Sequence, residues 1–377
     1  MDGSDGRAVA LVRLARTLGE DDAVAAIDAL RDVADAPALA ETLRRHHLIP
    51  LLWSTVGDSD LRAMLGETYA PCAEWIARPR PSADESLATI AALQATLAAA
   101  DVPCMVMKGV HFAHRLYGGM GRRPQHDVDL LVRRRDFRGA ARALRASGLT
   151  ERRRDLHSAT WTRDGIQVDL HWCFRNSPVY RPDEERIWRE RLTYTIGTTT
   201  FATPSDGDVL LALALALFQD IGLGSAKLKQ LLDAHLLIGA VDRTFDWDAF
   251  FALRRADGTR AIVTTVLDLV QGAFDARRAQ PRLAAALRAH GARGAVAPAD
   301  ACGLVLGARG GAANRAWFFR VYPGSIARYW LWLLPRKLPA YLSGSAPDRA
   351  PTSMRPSLAT LRAMVEARRG RAARDPR

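Results

Sequence analysis

Two aspartates in one short apolar segment are the residues of this sequence best suited to chemistry. Asp127 and Asp129 lie in residues 126–132, where the other members of the run are a histidine and apolar side chains. Successive side chains of a β-strand alternate between its faces, so both carboxylates are expected on one face. Two like charges on a half-buried strand repel each other and are costly to desolvate, and a divalent cation held between them offsets that cost.

A third aspartate, Asp169, has a matching position between Val168 and Leu170. If the two strands are adjacent, Asp169 completes a cluster of three carboxylates. Such a cluster can hold two metal ions, which activate an attacking hydroxyl and stabilise a leaving phosphate. An Asp-x-Asp pair alone is weak, since most are exposed edge, cap or turn residues. The apolar context, the second strand and a glycine-containing turn before both strands favour the metal site.

A turn that contains Lys108 and Gly109 precedes a helix expected from Val110 and supplies groups that bind phosphate. Amides at a helix N-terminus point outward, and glycine lets a phosphate approach the backbone. Lys108 adds a mobile positive charge. Arg122 and Arg123, just before the aspartate pair, are further phosphate candidates. For Arg122 a solvated surface position is the alternative.

Three histidines are secondary candidates. His171 alternates with Asp169 on the same segment, so it lies either beside the metal or in the packed core. His111 and His114 are one helical turn apart on the expected helix. They could form a metal pair, but a site needs further ligands that the sequence does not identify. The aspartates are therefore the primary site.

The elements that must position these residues follow a helical N-terminal region. Residues 1–100 contain no run of alternating apolar residues and predict one helix after another. The clearest helix begins at Ser82, because Ser82 and Glu85 have the spacing of a capping box. Its apolar stripe consists of Leu87, Ile90, Leu93 and Leu97.

Strand-like and helical segments alternate between residues 101 and 204. We predict a buried strand at 104–107, a helix at 110–117, a strand at 126–132, a helix at 137–147, a hairpin at 160–172 with its turn at Asp164-Gly165, and a β-segment at 193–202. Beyond residue 205 apolar stripes return and predict a second helical region. The predicted domains are 1–100, 101–204, 205–290 and a basic, proline-containing extension at 291–377.

Composition restricts the classes of function. The 377 residues carry a formal net charge of +12, which favours phosphate-bearing partners such as nucleotides, nucleic acid or an anionic membrane surface. The four cysteines are far apart, which argues against a structural zinc site and a disulfide framework. The N-terminal residues are acidic where a secretion signal is basic, and the apolar run at 329–334 is far shorter than a membrane span. We expect a cytoplasmic protein with no transmembrane segment.

Several motifs, in this order and spacing, resemble a known family. They are Met107-Lys108-Gly109, Tyr117, Arg123-Pro124-Gln125-His126-Asp127-Val128-Asp129-Leu130-Leu131-Val132 and Val168-Asp169-Leu170-His171-Trp172. Together they resemble the uncharacterised nucleotidyltransferase family of the DNA polymerase β-like superfamily. The resemblance covers about residues 102–172, and the helical regions on both sides match only in general character.

The resemblance implies an α+β fold. In such a fold a small mixed β-sheet forms the nucleotidyltransferase core, and helical regions flank it on the N-terminal and C-terminal sides. The resemblance also implies that Asp127 and Asp129 bind both metal ions, Mg²⁺ or Mn²⁺, and that Asp169 completes one of the two sites. The NTP is the implied co-substrate.

The implied reaction is transfer of a nucleoside monophosphate from the NTP to a hydroxyl or similar acceptor, with release of pyrophosphate. Asp169 would act as the base or as the metal-bound activator of the attacking hydroxyl. Lys108, Gly109 and Arg123 are the implied nucleotide-binding residues. The superfamily's usual phosphate-binding turn is Gly-Ser, and its replacement by Lys108-Gly109, as in this family, leaves the phosphate without a serine hydroxyl.

The sequence alone is also compatible with two other functions. A non-catalytic nucleotide-binding module would keep the fold, although the intact aspartate trio weighs against it, because loss of one carboxylate is the simplest route to a pseudoenzyme. An RNA-binding or RNA-modifying protein would account for the net charge, but no recognisable RNA-binding module is present, so nucleic acid is not the favoured partner. The acceptor stays open among a small molecule, a peptide and a protein.

Overall fold

The computed structural model describes residues 3–33, 39–78, 81–123, 125, 127–175, 179–291, 298–306, 310–324, 329 and 331. The described chain divides into two units. The described residues within 13–176 and 182–212 form the first, which we call the sheet unit, and those within 1–12, 177–181 and 213–377 form the second, which we call the helical unit. His126 and the predicted basic extension beyond residue 331 lie outside the described residues.

The N-terminal part of the described chain is helical, as the sequence predicted. Its helices are α1 (Gly3–Gly19), α2 (Ala23–Arg31), α3 (Leu39–Arg45), α4 (Ile49–Val56), α5 (Asp58–Leu65), α6 (Tyr69–Ile76) and α7 (Ala83–Ala98), with a 3-10 turn (Gly66–Thr68) before α6. The capping box of α7 is confirmed: the Glu85 amide donates to Ser82 Oγ at 3.1 Å, and the Ser82 amide donates to Glu85 Oε2 at 2.7 Å. The apolar stripe of α7 packs into the core of the sheet unit.

A five-stranded mixed sheet and a separate hairpin follow α7. In chain order the elements are β1 (Met105–Val106), α8 (Gly109–Tyr117), β2 (Val128–Leu131), a 3-10 turn (Arg134–Asp136), α9 (Phe137–Ala146), β3 (Thr150–Arg154), β4 (Ser158–Arg163), β5 (Ile166–His171), α10 (Glu184–Arg189), β6 (Leu192–Ile196) and β7 (Thr199–Thr203). The strand order is β1-β2-β5-β4-β3, with β2 and β5 parallel and the other neighbours antiparallel. The hairpin consists of β6 and β7. The predicted α+β fold class is confirmed.

The sheet has one apolar face and one polar face because side chains alternate along its strands. Val128 and Leu130 of β2 lie beside Val168 and Leu170 of β5 in the core that α7 and α9 cover. Trp161 of β4 is fully buried in the same core. Burial of an aliphatic side chain contributes about 1.5–3 kcal/mol, so the apolar face holds the strands in a single register. The polar side chains between these residues share the opposite face.

Turn chemistry accounts for the β4–β5 hairpin, as predicted. Asp164 and Gly165 both have positive φ, 50° and 81°, as a two-residue type I′ turn requires. The β-segment predicted at 193–202 is two strands, β6 and β7, which meet at Gly197 with φ 56°. The sequence analysis missed β3, because its residues, Thr-Glu-Arg-Arg-Arg, show no apolar alternation. This edge strand exists because β4 supplies its ladder partners.

The helical unit contains most of the remaining helices of the described chain. They are α11 (Asp206–Leu223), α12 (Leu228–Val241), α13 (Trp247–Ala256), α14 (Arg260–Ala273), α15 (Pro281–Ala289), α16 (Pro298–Leu306) and α17 (Gly310–Val321), and the division between the units falls within α1 and α11. Asp246 caps α13, since its side chain accepts a 2.9 Å hydrogen bond from the Ala249 amide. None of the described helices is both long enough and apolar enough to cross a membrane.

His111 of α8 is a buried histidine, only 1% exposed. Its ring lies 4.4 Å from the ring of Tyr194 in β6, and its Nδ1 atom is 3.5 Å from the Thr203 hydroxyl of β7. Burial, reinforced by the charge of Arg115 and opposed by that of Asp206, lowers the pKa of His111 to about 4. His111 is therefore neutral at pH 7 and packs α8 against the β6–β7 hairpin.

We expect His111 to make the protein less stable in acid. Below its unfolded-state pKa of 6.5 and above the folded value of about 4, the unfolded chain binds a proton that the folded protein excludes. The stability from this group is therefore full above pH 6.5 and falls as the pH decreases, by about 2 kcal/mol between pH 7 and pH 5. Urea denaturation at both pH values measures the loss. The His111→Gln variant should not show this loss of stability, whereas His114→Gln, at an exposed position, should still show it. Equal pH dependence of the wild type and both variants would contradict a buried, neutral His111.

Candidate metal and phosphate site

The three predicted aspartates come together on the polar face of the sheet. Asp129 of β2 lies opposite Asp169 of β5 in the parallel register, and Asp127 directly precedes β2. One carboxylate oxygen from each aspartate lies within 4.8 Å of the other two. Among the described residues no other group of three His, Cys, Asp or Glu side chains has such geometry, and His111 and His114 do not form a metal pair with a third ligand. The predicted adjacency of the two strands is confirmed.

Asp129 is ionised at neutral pH in spite of its burial. Burial alone raises the pKa of a carboxyl group, but the charge of Lys108, a hydrogen bond from His171 and the charge of Arg123 together hold the pKa of Asp129 below its usual range. His171 Nε2 lies 3.0 Å from Asp129 Oδ1. Because an ionised carboxylate only accepts hydrogen bonds, His171 donates its Nε2 proton. Of the two positions considered for His171, the structure has it beside the carboxylate cluster.

The donor set of the cluster fits a divalent cation. Asp169 Oδ1 is buried and has no hydrogen-bond partner within the described part of the chain. A buried oxygen of this kind is strongly unfavourable unless a donor or a cation reaches it. Hard cations such as Mg²⁺ and Mn²⁺ take carboxylate oxygens as ligands. A cation shared by Asp127, Asp129 and Asp169 would satisfy this oxygen and offset the repulsion among the three carboxylates.

The turn between β1 and α8 lies next to the cluster. The Met107 amide donates to the Asp129 carbonyl at 3.0 Å, which ties the end of β1 to the strand that carries two of the aspartates. Lys108 and Gly109 follow, each with φ 45°, a conformation that is strained for a lysine. The helix α8 begins at Gly109, and the first amides of a helix have no partner within it. The turn therefore has the strand-to-helix geometry at which helix amides can bind an anion.

Arg123 supports this turn from a buried position, where it is 5% exposed. Its Nη1 atom donates to the Gly109 carbonyl at 3.1 Å. Its guanidinium carbon lies 5.4 Å from the centre of the Phe112 ring and 5.8 Å from that of Tyr117. Arg123, which the resemblance implies as a nucleotide-binding residue, is thus anchored to the turn of Lys108 and Gly109, and its charge also acts on Asp129.

Arg122, its neighbour in sequence, does not join the site. Its Nη2 atom donates to the Leu18 carbonyl at 2.8 Å and lies 3.3 Å from the Thr55 hydroxyl, and its Nη1 atom forms an ion pair with Asp21. These partners belong to α1, α4 and the loop after α1. Arg122 therefore links the segment before β2 to the N-terminal helices, and the structure does not support a phosphate contact.

Two further residues contribute to the site although the sequence analysis did not select them. Gln125 packs directly against the turn, because a Cβ atom on Gly109 would collide with its Oε1 atom. Thr160 of β4 lies opposite Asp169 in the antiparallel register. The turn at Asp164-Gly165 could have identified Thr160, since a two-residue hairpin turn sets the pairing of the residues behind it. Gln125 lies within the motif that carries the resemblance, but the sequence analysis gave it no role of its own.

Fold and site together define the class of protein. Carboxylates on neighbouring strands of a small mixed sheet, beside a glycine-containing strand-to-helix turn, suit a metal ion and a phosphate-bearing substrate. A family model described as uncharacterised nucleotidyltransferase matches residues 32–275, which include the three aspartates and the turn. The match covers more than half of the chain, and the chain belongs to this family. No curated protein and no solved structure matches this chain.

Loss of one carboxylate is expected to stabilise the metal-free protein. Asp169→Asn removes one of three like charges packed within 4.8 Å, so in EDTA its melting temperature should equal or exceed that of the wild type. Mg²⁺ or Mn²⁺ at 100 times its Kd should stabilise the wild type by about 2.7 kcal/mol, because it binds only the folded state. The variant should gain far less. Scanning calorimetry with EDTA or metal measures both effects, and an equal metal-induced rise would argue against this site.

Gly109→Ala is expected to destabilise the protein more than Gly118→Ala. Both glycines have positive φ, 45° and 72°, where alanine costs about 1–2 kcal/mol. A new Cβ meets a neighbour only at Gly109, where it collides with Gln125, whereas the space at Gly118 is open. Urea denaturation should show an additional loss of about 0.5–1.5 kcal/mol at Gly109, because the end of the Gln125 side chain must leave its rotamer. Gln125→Ala should recover part of this additional loss, and equal losses at the two glycines would disprove the close approach.

Proposed function

We propose that this protein is a metal-dependent nucleotidyltransferase of the polymerase β-like type. It transfers a nucleoside monophosphate from an NTP to a hydroxyl or similar acceptor and releases pyrophosphate. The observation that carries the proposal is the cluster of Asp127, Asp129 and Asp169 beside the turn of Lys108 and Gly109, in a chain of a nucleotidyltransferase family. All five residues lie within the predicted core, residues 101–204.

The groups that bind the NTP come from the two sides of the site. Asp127, Asp129 and Asp169 would hold Mg²⁺ or Mn²⁺, which when bound neutralises charge on the triphosphate and makes the acceptor hydroxyl more acidic. The outward-facing amides at the start of α8 and the ammonium group of Lys108 bind the triphosphate. Arg123 donates a hydrogen bond to the Gly109 carbonyl and so helps to hold the turn in its conformation.

The reaction is a single displacement at the α-phosphorus. The acceptor oxygen forms a bond to this phosphorus while the bond to the oxygen that bridges to the β-phosphate breaks, and the electron pair of that bond leaves with pyrophosphate. The hydroxyl proton passes to the carboxylate of Asp169, which would act as the base of the reaction. The 3.0 Å hydrogen bond from His171 orients Asp129 throughout.

Isothermal titration calorimetry of the four NTPs, with and without Mg²⁺ or Mn²⁺, tests the proposal. The wild type should bind at least one NTP in a metal-dependent manner. Asp127→Asn/Asp129→Asn keeps the side-chain shapes and should weaken this binding by at least about tenfold, or 1.4 kcal/mol, because the metal loses two charged ligands. Asp60→Asn/Asp84→Asn removes two exposed carboxylates elsewhere and should bind as the wild type does.

The outcomes separate the candidate functions. Equal NTP binding by the wild type and the site variant, or no binding of any NTP, would rule out the metal-dependent mechanism. A second assay follows the α-labelled phosphate of the NTP that binds best. Metal-dependent binding with no transfer of the label to any acceptor or to water favours the non-catalytic nucleotide-binding module instead.

A further inference from the structure

The polar face of the sheet continues from the carboxylate cluster to the β3 edge. Cross-strand neighbours form one row across four strands: Asp129, Asp169, Thr160 and Arg153. Neighbouring strands are about 4.8 Å apart, so the backbone of Arg153 lies about 10 Å from that of Asp169. Thr160, between them, is partly exposed, and its hydroxyl has no partner among the described residues.

A bulge in β3 brings a second arginine to this face. The register shifts between Glu151 and Arg153, so Arg152 is the additional residue. Bulges redirect side chains, and here the Arg152 Nε atom donates to the Thr162 hydroxyl at 2.8 Å. Thr162 is two residues from Thr160 on β4 and therefore shares its face. Arg152 has no acidic partner in the described part of the chain, so its charge is available to a ligand.

The sheet topology gives the two substrates of the proposed reaction, the NTP and the acceptor, separate regions of the polar face. The turn of Lys108 and Gly109 follows β1, at one edge of the sheet. From the cluster on β2 and β5 the sheet continues through β4 to β3 at the other edge. Because the triphosphate binds at the turn, the surface on β4 and β3 is the one next to Asp169 that an acceptor can occupy.

We propose that Arg152, Arg153, Thr160 and Thr162, here the arginine–threonine surface, bind the acceptor, and that the acceptor carries a carboxylate or phosphate group. This inference rests on the proposed function. The planar guanidinium group binds either oxyanion through paired hydrogen bonds. The anionic group would lie about 10 Å from the reacting hydroxyl, the separation of two strands. The 3.0 Å ion pair of Arg153 with Asp155 is exposed, so an anionic ligand can replace it at low cost.

Thermal unfolding in phosphate, acetate and chloride at equal ionic strength tests this surface. Mg²⁺ and a saturating non-hydrolysable NTP analogue are present to occupy the nucleotide site. Arg152→Gln/Arg153→Gln is compared with Arg138→Gln/Arg142→Gln, which removes the same charge from exposed positions of α9, the helix on the apolar face of the sheet. Phosphate or acetate should raise the melting temperature of the wild type and the α9 variant equally. The surface variant should lose at least half of that rise.

Each outcome decides the proposal. An equal rise in all three proteins would overturn it, because the anion effect would then be general. Calorimetry gives a second readout: the surface variant should bind the NTP within twofold of the wild type, and a larger loss would assign the surface to the nucleotide instead of the acceptor. If the wild type binds no NTP, the proposed function fails. In that case the thermal unfolding in phosphate, acetate and chloride alone decides whether the arginine–threonine surface binds an oxyanion.

Discussion

The site depends on the parallel pairing of β2 with β5. This pairing puts Asp129 directly opposite Asp169, and the alternation of side chains brings Asp127 into the same group. Like charges directly opposite each other on neighbouring strands destabilise a sheet. The strands nevertheless keep this register because their apolar side chains, on the other face, are buried against α7 and α9. The core therefore enforces a repulsion that a bound cation would relieve.

The surroundings of the cluster offset part of that repulsion and support a strained turn. Lys108 lies in a positive-φ conformation that costs a non-glycine residue on the order of 1–3 kcal/mol. The Met107 amide, bonded to the Asp129 carbonyl, holds the turn on one side, and Arg123, bonded to the Gly109 carbonyl, holds it on the other. The strain thus has structural causes within the sheet unit. Its consequence is that the first amides of α8 and a cationic side chain lie beside the carboxylates, where they could bind a phosphate group.

The two faces of the sheet have different tasks. The apolar face supplies the burial that stabilises the sheet unit, whereas the polar face carries the groups that could react with or bind substrates. Across that polar face the side-chain chemistry changes from strand to strand: the carboxylates lie at the centre, the turn of Lys108 and Gly109 at the β1 edge, and the arginines at the β3 edge. The bulge at Arg152 adds a guanidinium group to the polar face and leaves the apolar core unchanged.

Much of the local structure and the primary site could be predicted from the sequence. Three of these features depend only on residues a few positions apart, so the sequence alone predicts them. They are the capping box of α7, the type I′ turn at Asp164-Gly165 and the apolar alternation around the aspartates. The edge strand β3 could not be predicted from the sequence, because its own residues do not favour a strand and its stability comes from pairing with β4. The resemblance favoured Arg123 over Arg122, because only Arg123 lies in the motif, but nothing in the sequence identified the partners of either arginine. Only the tertiary structure directs one to the N-terminal helices and the other to the turn, since their partners are far away in the chain.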